Sequence, residues 1–229
     1  MIARNAAKSG SRLVGVIADR VALQKATRLR RPPDFVELRL DALLDCLEEV
    51  ESALAKLRAP LILTARHPAE GGCGALAASD RRALLWRFLD HAALIDIELR
   101  SAREMRTLMV EARRRKISLI ISSHDLRDTP PPAVLREQLK AAIGYGAGVF
   151  KIATCTDSAA QLARLLAFFQ ENAGAFPVAA MGMGKLGAES RRRLLRLGSV
   201  LNYAAVGDAN APGQPTLRQL RRHRAAFII

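Results

Sequence analysis

Eight short apolar runs, each followed by a longer stretch of helical periodicity, constrain the fold of this 229-residue chain more than any other feature. The runs fall at 13–18, 35–40, 61–64, 93–99, 117–122, 149–153, 177–181 and 200–203. Amphipathic stretches at 43–57, 79–91, 103–115, 133–145, 158–172, 188–197 and 216–226 follow all but the first, whose crossover at 21–31 is short and indistinct. Asp157-Ser158 and Ser79 are placed as helix N-caps, where a short polar side chain accepts from a free backbone N–H. Strand then helix, eight times over, in a chain of this length matches an α/β fold of the (β/α)8 barrel type near the lower end of its size range. An open doubly wound sheet would normally carry a glycine-rich turn after its first strand, and "VGVIADR" has none. No linker or low-complexity segment divides the sequence, so residues 1–229 read as one barrel domain.

Composition narrows the setting. No apolar run approaches the length of a membrane span. "MIARNAAKSGSR" lacks the apolar segment of a secretory signal, and Cys46, Cys73 and Cys155 form no CxxC pair. A cytoplasmic protein with free thiols is expected. The formal charge of +14 raises nucleic-acid binding. Aromatic residues make up only 4% of the chain and no nucleic-acid motif occurs, so the favoured reading places the arginines on solvated helix faces and helix ends.

Polar groups collect late in the apolar runs. Residues two apart share a face of a strand, which pairs Glu37 with Arg39, Thr64 with Arg66, Asp96 with Glu98, and Ser122 with His124; Lys151 stands within "GVFKIAT". In a barrel these side chains would converge on the C-terminal mouth, where active sites are built. A desolvated lysine there can lose its proton and attack a carbonyl to form a Schiff base, although lysines on strands also snorkel to solvent. His124, oriented by a carboxylate such as Glu70, could act as general base and then acid; the alternative is a histidine hydrogen-bonded beneath a loop. In "MGMGKLGAESRR", Arg191 sits early in a helix where an anion is welcome. "GDANAPGQPT" has the composition of a lid ending in Gln214. Neither metal-ligand spacing nor a phosphate loop stands out, so a site without metal or cofactor is expected.

Taken together, "VELRLD", "TARHPAEGG", "IDIEL", "SSHD", "KIAT", "MGMGKLGAESR" and "NYAAVGDANAPGQ", in this order over nearly the whole chain, resemble the type I 3-dehydroquinate dehydratases of the shikimate pathway. The resemblance implies a barrel, usually dimeric, that dehydrates 3-dehydroquinate through an imine on Lys151, with His124 as the proton-transfer group and Glu70 orienting it. It implies Glu37 and Arg39 on substrate hydroxyls, Arg66 and Arg191 as further substrate contacts (Arg191 at the carboxylate), Gln214 in the lid and Tyr203 at the site edge. Asp96 and Glu98 are expected to support the charged network. Two positions depart from the family pattern. Gly15 stands where a serine is usual, which is expected to weaken the hold on substrate; Asn210 replaces the lid serine and keeps its hydrogen-bonding capacity. The rivals are another class I aldolase-like Schiff-base barrel, separable by a substrate panel, and a catalytically lapsed basic barrel that binds nucleic acid.

Overall fold

Side-chain alternation along each apolar run gives it two buried faces, and the strands accordingly read as near-continuous hydrophobic segments. The computed structural model describes residues 10–206 and 214–225. Its strands are β1 (Arg12–Ile17), β2 (Phe35–Arg39), β3 (Leu61–Thr64), β4 (Ala92–Glu98), β5 (Ser118–Asp125), β6 (Val149–Cys155), β7 (Val178–Met183) and β8 (Leu201–Ala205). They alternate with α1 (Arg20–Thr27), α2 (Leu47–Ala53), α3 (Ala78–Arg87), α4 (Arg106–Arg114), α5 (Pro132–Gly144), α6 (Ala159–Asn172), α7 (Gly187–Leu197) and α8 (Leu217–Ala225). No described helix is long and apolar enough to cross a membrane.

All strands run parallel in the order β7-β6-β5-β4-β3-β2-β1-β8, which makes a nearly closed barrel. Inward residues such as Val14, Phe35, Ile62, Leu94, Ile120, Val149 and Leu201 fill its lower interior. The alternate residues, among them Leu38, Leu63, Ile95, Leu119 and Ile152, pack outward against the helices. The seam between β7 and β8 has no ladder. Val200 N–H donates to Val178 O at 3.1 Å, and the Ser199 hydroxyl accepts from Ala180 N–H at 3.1 Å. Higher up, Arg191 donates to Gly182 O on one strand at 3.2 Å and to Tyr203 O on the other at 3.3 Å.

Several boundaries differ from the sequence reading. β5 and β6 continue to Asp125 and Cys155, with His124 paired to Ala153 and Asp125 to Thr154. Polar side chains ended the apolar signal there, but a ladder is made by backbone groups, which every residue but proline carries in full. The indistinct first crossover is a helix capped by Asp19, whose Oδ1 accepts from Ala22 N–H at 2.6 Å. Ser158 caps α6 in a reciprocal box with Gln161. Ser79 is not a cap: Ala77 is extended and α3 begins at Ala78, leaving the Ser79 hydroxyl to Asp80. In the basic run before β5, Arg114 and Arg115 both bind Glu111, as expected of a solvated helix end.

Candidate active site

Above the apolar floor, the next inward residue of several strands is polar, and these groups meet. Lys151, the third residue of β6, is 3% exposed. Its Nζ lies 2.8 Å from Asp96 Oδ2 and 3.2 Å from Glu37 Oε1. The Tyr203 ring faces the same nitrogen, with its centroid 4.0 Å away. The lysine does not snorkel, and the charges nearest to it are carboxylates rather than cations.

Those carboxylates are themselves anchored. Glu37 Oε1 accepts from the Thr64 hydroxyl at 2.8 Å. Asp96 accepts from Arg66 Nη2 at 2.9 Å and from the Ser122 hydroxyl at 2.5 Å. Glu98 accepts from Arg66 Nη1 at 3.0 Å, His67 N–H at 3.0 Å and Arg81 Nη1 at 2.9 Å. Burial alone would raise the Asp96 carboxyl, but Arg66 and Lys151 outweigh it and hold the group far below the usual carboxylate range. Burial works against the Arg66 charge as well, and Asp96 and Glu98 reverse that. Each charged group of the network has one of opposite sign in contact, which offsets the cost of burial.

His124 and Glu70 form a second pair. Pro68–Glu70 makes a single tight helical turn, ended by Gly71 at φ +84°, a conformation that suits a residue without Cβ. That turn presents Glu70 Oε2 to both the backbone N–H and Nδ1 of His124, each at 2.9 Å. Burial, then the Arg66 and Lys151 charges, pushes the imidazole well below its usual value, so it is neutral at pH 7. Burial pushes Glu70 up to about 7, against the opposing pull of Arg66. With Nδ1 engaged by Glu70, Nε2 is the nitrogen left to exchange protons.

Both pairs open into one cavity of about 220 Å³, whose wall includes Glu37, Arg39, Arg66, Glu70, His124, Lys151, Arg191, Tyr203 and Gln214. Every expected site residue within the described regions is therefore gathered there; Asn210 lies outside the described residues. A wider groove of about 700 Å³ at the opposite end of the strands, lined by Leu54, Leu57, Pro60 and His91, has no comparable polar set. Arg191 is buried, and burial lowers it to about 10. Among the described residues no carboxylate lies within ion-pair distance of it. A buried guanidinium bonded to two carbonyls retains its positive charge for an incoming anion.

Two expectations are corrected. Tyr203 is not at the site edge: it is 4% exposed and packs with the inward apolar residues at the cavity floor. A side chain at Gly15 would point away from the cavity. Its Cβ would lie 2.9 Å from Val206 Cγ2 and 3.1 Å from Pro33 Cγ, both in the outer shell, while the neighbouring Val16 lines the cavity. A serine hydroxyl at position 15 would therefore add nothing to the cavity wall.

Two structural contributors went unread in the sequence. Asp41 holds Arg39 through both oxygens, and accepts from Arg66 N–H at 3.0 Å and Cys73 N–H at 2.9 Å, tying the strand-three loop to β2. Its place at the end of "VELRLD" was the available signal. Arg81 is 1% exposed and joins Glu98 to Ser101. Nothing in "DRRALLWR" separates it from Arg82, which is only half-buried.

A parallel barrel with a buried lysine between two carboxylates, an imidazole held by a third and a buried arginine at the C-terminal mouth has the makings of a barrel enzyme suited to a small anionic carbonyl compound. Residues 16–226 match the model of the type I 3-dehydroquinase family, and the chain belongs to that family. It is 31% identical over 216 residues to the 3-dehydroquinate dehydratase of Methanococcoides burtonii, covering 92% of this chain and 91% of that one. The crystal structure of the Aquifex aeolicus 3-dehydroquinate dehydratase superposes with a TM-score of 0.80 at 31% identity, over 94% of this chain and 98% of that one. The Geobacillus kaustophilus 3-dehydroquinate dehydratase shares the fold with a TM-score of 0.86 at 24% identity, over 96% and 92% of the two chains.

Proposed function

We propose that this family member removes water from 3-dehydroquinate, a step of the shikimate pathway, through an imine on Lys151. The observation that supports this most is the placement of Lys151 Nζ, buried between two anchored carboxylates in the cavity that also receives His124. Lys151 passes a proton to a carboxylate in contact with it, the freed amine adds to the C3 ketone, and that proton together with one from nitrogen leaves with the ketone oxygen as water, giving a protonated imine. Glu37 and Asp96, already in contact with the nitrogen, stabilise the cation at that position. The cationic imine draws electrons from C2, and Nε2 of neutral His124 takes the C2 proton to give an enamine. The same imidazole, now protonated, delivers a proton to the C1 hydroxyl as it departs. Glu70 stabilises the transient imidazolium through Nδ1. Arg191 holds the substrate carboxylate; Glu37 and Arg39 face its hydroxyls. Hydrolysis of the imine releases 3-dehydroshikimate and restores the lysine.

Borohydride added during turnover tests this by reducing the imine to a stable amine. An intact-mass increase mapped to Lys151 is expected, and Lys151→Ala is expected to lose both adduct and turnover. A Lys151→Ala variant that turns over at the wild-type rate removes the imine from the mechanism.

A further inference from the structure

Tyr203 does more in this geometry than fill space. Its hydroxyl is buried and has no hydrogen-bond partner among the described residues, unlike the hydroxyls of Thr64 and Ser122 beside it. Buried hydroxyls are normally bonded, because an unmet one forfeits its hydration. The ring places Nζ of Lys151 4.0 Å from its centroid. The hydroxyl lies only a ring radius and a C–O bond from that centroid, within reach of atoms on the carbon that Nζ attacks. Burial, with Glu37 and Asp96 nearby, keeps the phenol protonated, so it is available as a donor.

We propose that the Tyr203 hydroxyl donates a hydrogen bond to the substrate's ketone oxygen as the lysine adds, and to the same oxygen in the carbinolamine. This rests on the imine reading above. In the step concerned, the N–C bond forms and the C=O π pair moves onto oxygen; one proton from nitrogen and the lysine proton held by the adjacent carboxylate pass to that oxygen, which leaves as water while the nitrogen lone pair closes the C=N bond. Tyr203 supplies the hydrogen bond that stabilises charge growing on oxygen and gives up no proton. The ring face remains against the nitrogen as it becomes the cationic imine.

Tyr203→Phe separates the hydroxyl from the ring. Wild type and variant are mixed with 3-dehydroquinate, quenched with borohydride at successive times and read by intact mass. The variant adduct is expected to accumulate about fivefold to tenfold more slowly, the effect of one neutral hydrogen bond. The free variant should melt at or above the wild-type temperature, since it loses a hydroxyl that the fold does not satisfy. Equal adduct rates overturn the proposal. A lower melting temperature overturns it too, because the hydroxyl would then be bonded inside the fold, to structural water for example. Absence of adduct on the wild type removes the imine itself, an outcome distinct from failure at Tyr203.

Discussion

Glu70 offers a direct measure of what the site costs the fold. Its carboxyl is held at about 7 where an ordinary glutamate has 4.5. A raised carboxyl binds its proton in the folded chain at pH values where the unfolded chain has released it. Its effect on stability is therefore nil below 4.5, becomes increasingly unfavourable as the pH rises towards 7, and is complete above that. The cost above pH 7 comes to about 3 kcal/mol, from the free-energy equivalent of a pKa change. Glu70→Gln removes the ionisation and keeps an oxygen to accept from His124 N–H. At pH 8 the variant is expected to be more stable by up to that amount, which for a domain of this length raises Tm by roughly 6–12 °C. At pH 5 the difference should nearly vanish. Circular dichroism melts of both proteins at the two pH values provide the comparison. A stability difference that does not change with pH, or a variant less stable at pH 8, would refute the reasoning. Turnover should fall in the same variant, because an amide cannot stabilise the imidazolium as a carboxylate does.

His124→Ala should still yield a borohydride-trapped adduct on Lys151 but stall before enone absorbance rises; normal turnover would exclude it as the proton-transfer group. Arg81→Met leaves Glu98 short of one of its two buried cations and is expected to lose about 3–5 kcal/mol in urea unfolding. Part of that loss should return in Arg81→Met/Glu98→Gln, and simple additivity of the two changes would contradict their coupling. Gly15→Ser should lower stability by about 1–3 kcal/mol through outer-shell crowding. Its KM should not change, whereas a lower KM would place residue 15 in the substrate cavity.

The barrel was legible because its strands are buried on both faces and its helices on one, so periodicity separates them. The site was legible for the same reason. Glu37, Asp96, Ser122 and Lys151 interrupt apolar runs at inward positions, where a polar residue is costly unless it is paired. Arg81 could not be found this way. It arrives from α3, a helix rich in arginine, and its burial depends on where Glu98 lies in space. The outward face of Gly15 was equally hidden, because fixing the inner face requires strand register, and a register error of one residue exchanges the faces. Lys151 differs in another respect: the run revealed its isolation but not that Glu37 and Asp96, from strands far away in sequence, would be its immediate neighbours.

The barrel's eighth junction, between β7 and β8, has a consequence for its dynamics. The other seven junctions carry ladders, while this one is bridged chiefly by Ser199 and Arg191. Gly182 N–H, which would face a neighbouring strand in a fully laddered barrel, donates to the Ser190 hydroxyl instead. Hydrogen exchange should therefore be fastest, among the strand interiors, along the facing edges of β7 and β8. The guanidinium that bridges these two strands is also the one that awaits an anion in the cavity. A bound carboxylate that fixes Arg191 would slow exchange along both edges, so occupancy of the cavity could be followed through backbone amides that never touch the ligand.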